Sequence, residues 1–585
     1  MPVTSGSTGP RIGQRTIFWA VALVCAVSRF ASMARSAWDW DEALFLLAMR
    51  DYDVTSHHPH PPGFPVYIAM ARLVRLVVDS DFRALQSLNL IAGMFVFPAL
   101  FLYARALGLR FETSVVAGVL FAFFPNVWFF GGTAFSDVVS IVLVLFAVVL
   151  LFRGAESRRD YLLGTILLAL AIGIRPQNLL VGLFPGILAT IRRPFRDVLV
   201  ALTLGLVITG VAFGAAVYAT GDLDSYLRVV REHSDYITRI DSFRNADRPP
   251  LWRIFDRFFF KQYQSPALSI LISLLVLVSV IGAIRRRDRA MFYNFLTFAP
   301  FAITAWMMLD RFSISRFSIG YAPMFAVFAA DGIRRLARDR WQREYLFGGA
   351  LAAAFAVWAF PAFTDVRNRI SPSVRAVEAA RREIDPRTET LFVGHSMVPF
   401  VEYFARELPF IRVIGVPAVP LTPAERPFLL ADLQKGEPEG LIFQRPRGRL
   451  WNIARRHYFE VVLQPLRNIA RFRRGWYPPE LEGVDEKRWM GASSLTILPP
   501  ASGRRELRLL FHVPPPLVGA TVTVTLNGQV IDRIQVDALE ISRDYEVDPL
   551  PPDQPNRLEL SIDRTIEENR QQRGLRLRFL SWGRP

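Results

Sequence analysis

Up to residue 361 the apolar residues crowd into blocks of about 20, and beyond it they fall into short alternating runs. The blocks lie near residues 16–33, 83–104, 113–130, 137–152, 161–174, 177–191, 198–217, 264–284, 291–309, 317–333 and 344–361. Each predicts a membrane-spanning helix, about eleven in all. Arg11 and Arg15 precede the first block, and every second connection after it is short and basic. These connections carry Arg105 and Arg110; Arg153, Arg158 and Arg159; Arg192, Arg193 and Arg196; Arg285, Arg286 and Arg287; then Arg334, Arg335, Arg338 and Arg340. Basic connections stay in the cytoplasm, so the N-terminus is expected inside and, after an odd number of spans, the C-terminal third outside. No small-residue cleavage site follows the first block, which reads as a retained anchor.

Two external segments are too long to be mere connectors, one from about Arg35 to Phe82 and one from Tyr218 to Gln262. Within the first, Phe64 to Val78 is apolar but holds Arg72 and Arg75, which predicts a helix lying on the membrane surface.

After about residue 365 the pattern predicts two soluble domains, 365–474 and 475–585. VRAVEAARREI, VPFVEYFAREL and PAERPFLLADLQ read as helices, and TLFVG, FIRVIGV, GLIFQR and FEVVLQ as strands, with RLWNIARRHY before the last. That order predicts a small α/β domain with parallel strands. No GxGxxG occurs in it, and His395-Ser396 at a strand end reads first as a helix cap. From Gly475 onward Leu507, Leu509 and Phe511 share one face, TVTVTL, RLELSI and LRLRFL alternate, and Asn527-Gly528 signals a two-residue hairpin. This predicts an antiparallel β-sandwich. Trp476, Tyr477 and Trp489 at its entrance are candidates for an acceptor or glycan platform, against the simpler reading that they plug the core.

Composition agrees with the membrane reading. With 52% hydrophobic and 21% charged residues and a mean hydropathy of +0.26, a purely soluble enzyme is excluded. The net charge of +17 comes from 69 basic against 52 acidic residues, and lysine occurs only at positions 261, 435 and 487. The arginines cluster between apolar blocks, so the charge reads as topology rather than nucleic-acid binding. Cys25 is the one cysteine, which leaves no internal disulfide, Cys-based zinc site or CxxC pair.

Chemistry is concentrated in the segment 35–82. It opens with WDWDEALF, placing Asp39, Asp41 and Glu42 just beyond the first span. Asp41 is positioned to cap a helix through Arg50, Asp39 precedes that helix and is expected to face water, and capping accounts for neither Asp39 nor Glu42. A partly desolvated carboxylate at the membrane boundary suits a general base. The segment continues with HHPHPPGFP. His57, His58 and His60 are metal-ligand types, but Pro61, Pro62, Gly63 and Pro65 fix the backbone, and a rigid turn is the expectation.

An acidic pair after the first span (Asp41-Glu42), the HPPGFP turn from His60 to Pro65 and the surface helix after it resemble bacterial members of the GT-C glycosyltransferase superfamily. Those include protein O-mannosyltransferases and lipid A aminoarabinose transferases. Gly173-Ile174-Arg175-Pro176 resembles the family's Gly-x-Arg-Pro, and Arg316-Phe317 with Pro323 its Arg-Tyr element followed by Pro. The doubled HHPH and the Phe after Gly depart from the pattern, and the soluble domains are similar only to the varied external domains of such enzymes.

The resemblance implies a mainly α polytopic membrane protein with GT-C-like spans and extracytoplasmic C-terminal domains, in a bacterial inner membrane. It implies inverting transfer of a sugar from a polyprenyl-phosphate donor to a glycan, lipid or protein acceptor, with Asp41 as the base and Glu42 shaping its surroundings. Arg83, Arg175 and Arg316 are the implied ligands of the donor phosphate. No cofactor and no divalent metal are expected, because the leaving phosphate is a stable anion that an arginine can hold. Two other readings need many spans without this chemistry: a lipid-linked sugar flippase, and a non-catalytic anchor that binds polysaccharide.

Overall fold

The computed structural model describes residues 12–240, 242–244, 249–308, 315–413, 419–421, 426–432, 440–444, 460–466, 470–568 and 570–583. RLWNIARRHY lies outside them. The chain divides into two units, residues 1–370 with 447–455, and residues 371–446 with 456–585.

The first unit is helical. Its helices are α1 (Ile12–Ser28), α2 (Trp40–Arg50), α3 (Pro65–Arg75), α4 (Asp81–Met94), α5 (Val96–Ala106), α6 (Phe111–Phe123), α7 (Pro125–Phe130), α8 (Asp137–Gly154) and α9 (Arg158–Ile174). After these come α10 (Asn178–Thr190), α11 (Phe195–Thr220), α12 (Leu223–Ile240), α13 (Leu251–Phe259), α14 (Pro266–Arg286), α15 (Arg289–Met307), α16 (Ala322–Leu336) and α17 (Trp341–Asn368). All eleven apolar blocks are helical. Six helices among the described residues are long and apolar enough to cross a membrane, or seven if the bent pair α4 and α5 is one span. That is fewer crossings by length and composition than the blocks predict, and the breaks have local causes. In the block 113–130, Pro125 holds Phe124 extended (φ −57, ψ 128) and splits it into α6 and α7.

Burial separates two kinds of apolar helix. Along α8, thirteen of eighteen residues are buried, so the helix runs through protein rather than along its surface. The long α11 exposes Leu199, Leu202, Leu206, Val207 and Val211, as a lipid-facing helix does. The segment 218–262 proves largely helical, through α12 and α13.

In the second unit, VRAVEAARREI and the start of VPFVEYFAREL form helices as predicted, Pro372–Glu383 and Val398–Phe404. Strand Thr390–Gly394 pairs in parallel with Phe410–Val413 and Pro427–Asp432. The expected helix PAERPFLLADLQ is therefore corrected to a strand: its short apolar run at Pro427–Asp432 fits a sheet as well as a helix, and pairing decides. The sheet is also mixed rather than parallel, since Glu460–Pro465 joins Pro427–Asp432 and Leu441–Gln444 antiparallel. Ser396 donates to Asp432 Oδ1 at 2.7 Å instead of capping a helix.

The β-rich part is a sandwich. One face has Arg505–His512 between Glu540–Val547 and Arg576–Gly583, and the other has the order Gln529–Gln535, Thr521–Leu526, Asn556–Ile562, Ser493–Leu498, Arg471–Phe472. Leu507, Leu509 and Phe511 meet Val522, Val524, Leu558 and Leu560 in the core between them. Asn527 (φ 52) and Gly528 (φ 84) form the predicted hairpin, both left-handed as a type I′ turn requires. The first face continues through Asp485–Met490, paired at Arg412↔Asp485, so one ten-stranded sheet runs across residues 474 and 475.

Candidate active site

Asp39, not Asp41, caps α2. Its side chain accepts from the Asp41 N–H at 3.2 Å, and Glu42 returns to the Asp39 N–H at 3.1 Å, a capping box spaced Asp39-x-x-Glu42. Asp39 is buried, not water-facing. Capping thus accounts for the two carboxylates it was expected to leave unexplained. Glu42 does more, taking the Trp38 N–H at 2.6 Å and, across the fold, the Ala134 N–H at 2.9 Å. Burial pushes its carboxyl up to about 7 against the pull of those three N–H donors.

Freed from capping, Asp41 points at arginine. Its Oδ2 lies 2.5 Å from Nη2 of Arg316, which the 3₁₀ turn Ser315–Gly320 supplies ahead of α16. Arg316 also lies 3.5 Å, through Nε, from Asp137 Oδ2, and its guanidinium stands 4.3 Å over the Phe135 ring. Asp137 opens α8 and is shared with Arg175: Nη1 is 3.0 Å from Oδ1 and Nη2 donates to Oδ2 at 3.0 Å. Ser136 Oγ accepts from Arg175 Nε at 2.9 Å.

Arg175 is there because Pro176 follows it. A residue before proline is driven from helical to extended backbone, so α9 stops at Ile174 and Arg175 (φ −148, ψ 115) leaves the helix axis. Gly173 lets α9 approach α3, since a Cβ there would collide with Val66. Asp41, Asp137, Arg175 and Arg316 are each between 3% and 7% exposed. Four charges buried together are costly unless paired, and here two acids face two bases. The pairing is incomplete: Nη1 and Nε of Arg316 are buried without a hydrogen-bond partner. A small pocket reaches the Asp137–Arg175 end of the cluster, lined by Asp137, Ser140, Arg175, Asn178, Phe317 and Gly320, among others.

The HPPGFP turn packs on this cluster. Gly63 (φ 102) is obligatory, because a Cβ would run into Tyr52 and Val54, and the Tyr52 hydroxyl donates to its carbonyl at 2.8 Å. Pro61 and Pro62 lead into it, and Tyr226 of α12 donates to the Pro62 carbonyl at 2.9 Å. Phe64 then places its ring 5.6 Å from the Arg175 guanidinium. The backbone of His58 pairs with Asp53. Among the described residues no group of three His, Cys, Asp or Glu side chains is placed to hold a metal ion.

One solved structure resembles this chain over most of its length. ArnT from Cupriavidus metallidurans bound to undecaprenyl phosphate superimposes with a TM-score of 0.51 at 11% identity, covering 78% of this chain and 98% of that one. The chain shares the fold of that structure. The apo form of ArnT scores 0.48 at 10% identity (77% and 98% covered), and arabinofuranosyltransferase AftD from mycobacteria scores 0.38 at 10% (97% and 61%). No family model and no curated protein matches the sequence.

Set on this fold, the expected residues divide. Asp41, Arg175 and Arg316 converge, and Glu42 braces the helix that carries Asp41. Arg83 does not join them through any bond described: it donates to the Ala34 carbonyl at 3.1 Å and to Gln86, bracing the chain ahead of α2. In the second unit Trp476 donates to Thr496 at 3.0 Å and meets Phe472 edge-on, while Trp489 is buried with Arg573 and Arg576 against its ring. Sequence reasoning missed Asp137 and Ser136. Their signal was an acid in the first turn of an otherwise apolar helix, which is expensive without a partner. It also missed His233 of α12, whose ring lies 6.0 Å from that of His60.

Proposed function

We propose that this chain transfers a sugar from a polyprenyl-phosphate donor to an acceptor hydroxyl or amine, with inversion, at the Asp41–Arg316–Asp137–Arg175 cluster. The observation that carries the reading is the buried Asp41–Arg316 pair, joined through Asp137 to a second buried arginine, Arg175. A carboxylate in that position is a proton acceptor, and buried guanidinium N–H groups without partners are ready-made for phosphate oxygens. ArnT, whose fold the chain shares, is seen with undecaprenyl phosphate, the leaving group such a reaction produces.

The atoms balance without a cofactor. The acceptor heteroatom bonds to the anomeric carbon, the bond from that carbon to the phosphate oxygen breaks, and the electron pair leaves with the lipid phosphate. Arg316 and Arg175 hold the developing charge, and Asp41 takes the acceptor proton. Phosphate on Arg316 Nη1 also sets negative charge beside Asp41 and favours proton uptake there. The test uses the purified full-length protein with undecaprenyl-phosphate sugars, pentose and hexose, and extracted envelope glycolipids as acceptors. Donor consumption in detergent that disappears in Asp41→Asn supports a transferase. No consumption by wild type, with sugar movement only across sealed vesicles, assigns a flippase instead.

A further inference from the structure

A base that is 6% exposed cannot return its proton to bulk water unaided, and the turn beside it holds rings that the transfer itself does not use. His60 lies against α2 one helical turn beyond Asp41, its ring 5.9 Å from Phe45 and 4.8 Å from Phe64. Its Nδ1 is sealed from solvent with no hydrogen-bond partner. From His60 the next ring is His233 on α12, centroids 6.0 Å apart, and from His233 the next is His57, 6.1 Å away. Burial falls along the series: His60 and His233 are partly buried, and His57 is exposed. At centroid separations of 6 Å one bridging water, or a modest ring rotation, brings imidazole nitrogens into hydrogen-bond contact.

We propose that His60, His233 and His57 form a proton exit from Asp41 to the surface, resetting the base after each transfer. The inference rests on Asp41 being the base. In the step, the Asp41 carboxyl releases the proton it took from the acceptor, a ring nitrogen of His60 accepts it while the other nitrogen delivers one to His233, and His57 passes it to water. No oxidation state changes, and each ring ends neutral.

The charges around His60 fit a transient carrier rather than a resting cation. Burial holds it down to about 3; Asp41 raises it, while His233, Arg316 and Arg175 lower it. His233 is likewise lowered by burial and by His57, with Asp41 opposing. The resting rings are therefore neutral, and His60 is not locked in an ion pair with Asp41. An anionic donor phosphate on Arg316 and Arg175 offsets the two cations that disfavour a charged His60, so the exit opens when the site is loaded. The same rings on a metal ion would instead need to converge, and among the described residues no group of three His, Cys, Asp or Glu side chains is placed to do so.

The experiment compares wild type with His233→Gln, His57→Gln and Asp41→Asn, all full length in detergent, using undecaprenyl-phosphate pentose and hexose as donors. Undecaprenyl phosphate alone serves as the binding probe. The relay predicts that His233→Gln lowers kcat about tenfold to a hundredfold with donor KM and undecaprenyl-phosphate affinity unchanged, and that added imidazole restores part of the rate. His57→Gln, a surface change, gives a smaller imidazole-rescued loss. A His233→Gln rate equal to wild type while Asp41→Asn is inactive overturns the relay and leaves the base standing. So does a loss that imidazole does not rescue and that weakens donor binding, or a wild-type rate abolished by chelator and restored by zinc. An Asp41→Asn rate equal to wild type overturns the base, and the relay with it.

Discussion

Asp41 and Arg316, 275 positions apart in sequence, meet side chain to side chain at 2.5 Å, both almost wholly withdrawn from solvent. The pair couples the short acidic helix to the turn before α16, which no local pattern relates. It is available because Asp39 has taken over the capping of α2, leaving Asp41, two residues further on, to face the guanidinium. One carboxylate shapes the helix end so that its neighbour can face the guanidinium.

That division of labour is testable at two acids separated by one residue. Asp41→Asn keeps the volume and cannot take the proton, so turnover should fall by roughly two to four orders of magnitude while undecaprenyl phosphate still binds. Asp39→Asn, which still caps, should leave transfer within a few-fold. Asp39→Ala should cost about 1 kcal/mol of stability. Turnover together with thermal unfolding separates the two roles, and equal losses from Asp41→Asn and Asp39→Asn would contradict them.

Asp137 is the carboxylate both arginines share. Replacing it with Ala leaves Arg175 buried without its carboxylate and Arg316 with Asp41 alone, and unfolding should become easier by about 3–5 kcal/mol. Ser136→Ala removes only the 2.9 Å bond to Arg175 Nε and should cost about 1 kcal/mol. Arg175→Gln and Arg316→Gln should weaken undecaprenyl-phosphate binding, with Lys restoring only part because it lacks the fork. A double-mutant cycle of Asp137 and Arg175 that showed no coupling would contradict the bidentate pair.

How much of this could be read beforehand follows local against distant causes. The Asn527-Gly528 hairpin, the sandwich alternation, the HPPGFP turn and the helices of the apolar blocks are set within a few residues, and each was legible. The capping register was also local: Asp39-x-x-Glu42 has the capping-box spacing, but a second acid at 41 offered a rival cap. Pro427–Asp432 was not legible, because a six-residue apolar run takes its form from the strands beside it. Asp137 and His233 stand on helices whose patterns say nothing of which neighbours they meet. Arg175 was found from the likeness of Gly173-Ile174-Arg175-Pro176 to a family motif at a span end, whereas its partner, more than thirty residues earlier, was not.

Glu42 should make stability depend on pH. Its folded carboxyl sits near 7 against an ordinary 4.5, so below about 4.5 the group is protonated in both states and carries no penalty. As pH rises toward 7 the unfolded chain gives up the proton first, and the folded state must hold it or bury a charge. Stability is therefore expected to fall from pH 4.5 to 7 and then level out as far as this residue is concerned. Glu42→Gln cannot ionise and should flatten that slope in thermal unfolding measured across the interval; an unchanged slope would mean that the three N–H donors outweigh burial.

The topology expected from the arginines can be compared with which connections touch. Residues expected on the cytoplasmic side meet one another: Arg110 with Asp339 at 3.3 Å, Arg335 with Asp288 at 3.1 Å, and Arg158 with Asp197 at 2.8 Å. Residues expected outside do the same, through Asp41 with Arg316, Tyr226 with Pro62, and Arg35 with the Asn368 carbonyl at 3.0 Å. These two sets sort the connections as the arginine distribution does, with the acidic helix and the end of α17 in one set and the arginine-rich turns in the other. Alkaline phosphatase fused after Asp365 should accordingly be active, and fused after Arg287 inactive. The reverse pair of results would put the Asp41–Arg316 cluster on the cytoplasmic face, where a donor presented outside could not reach it.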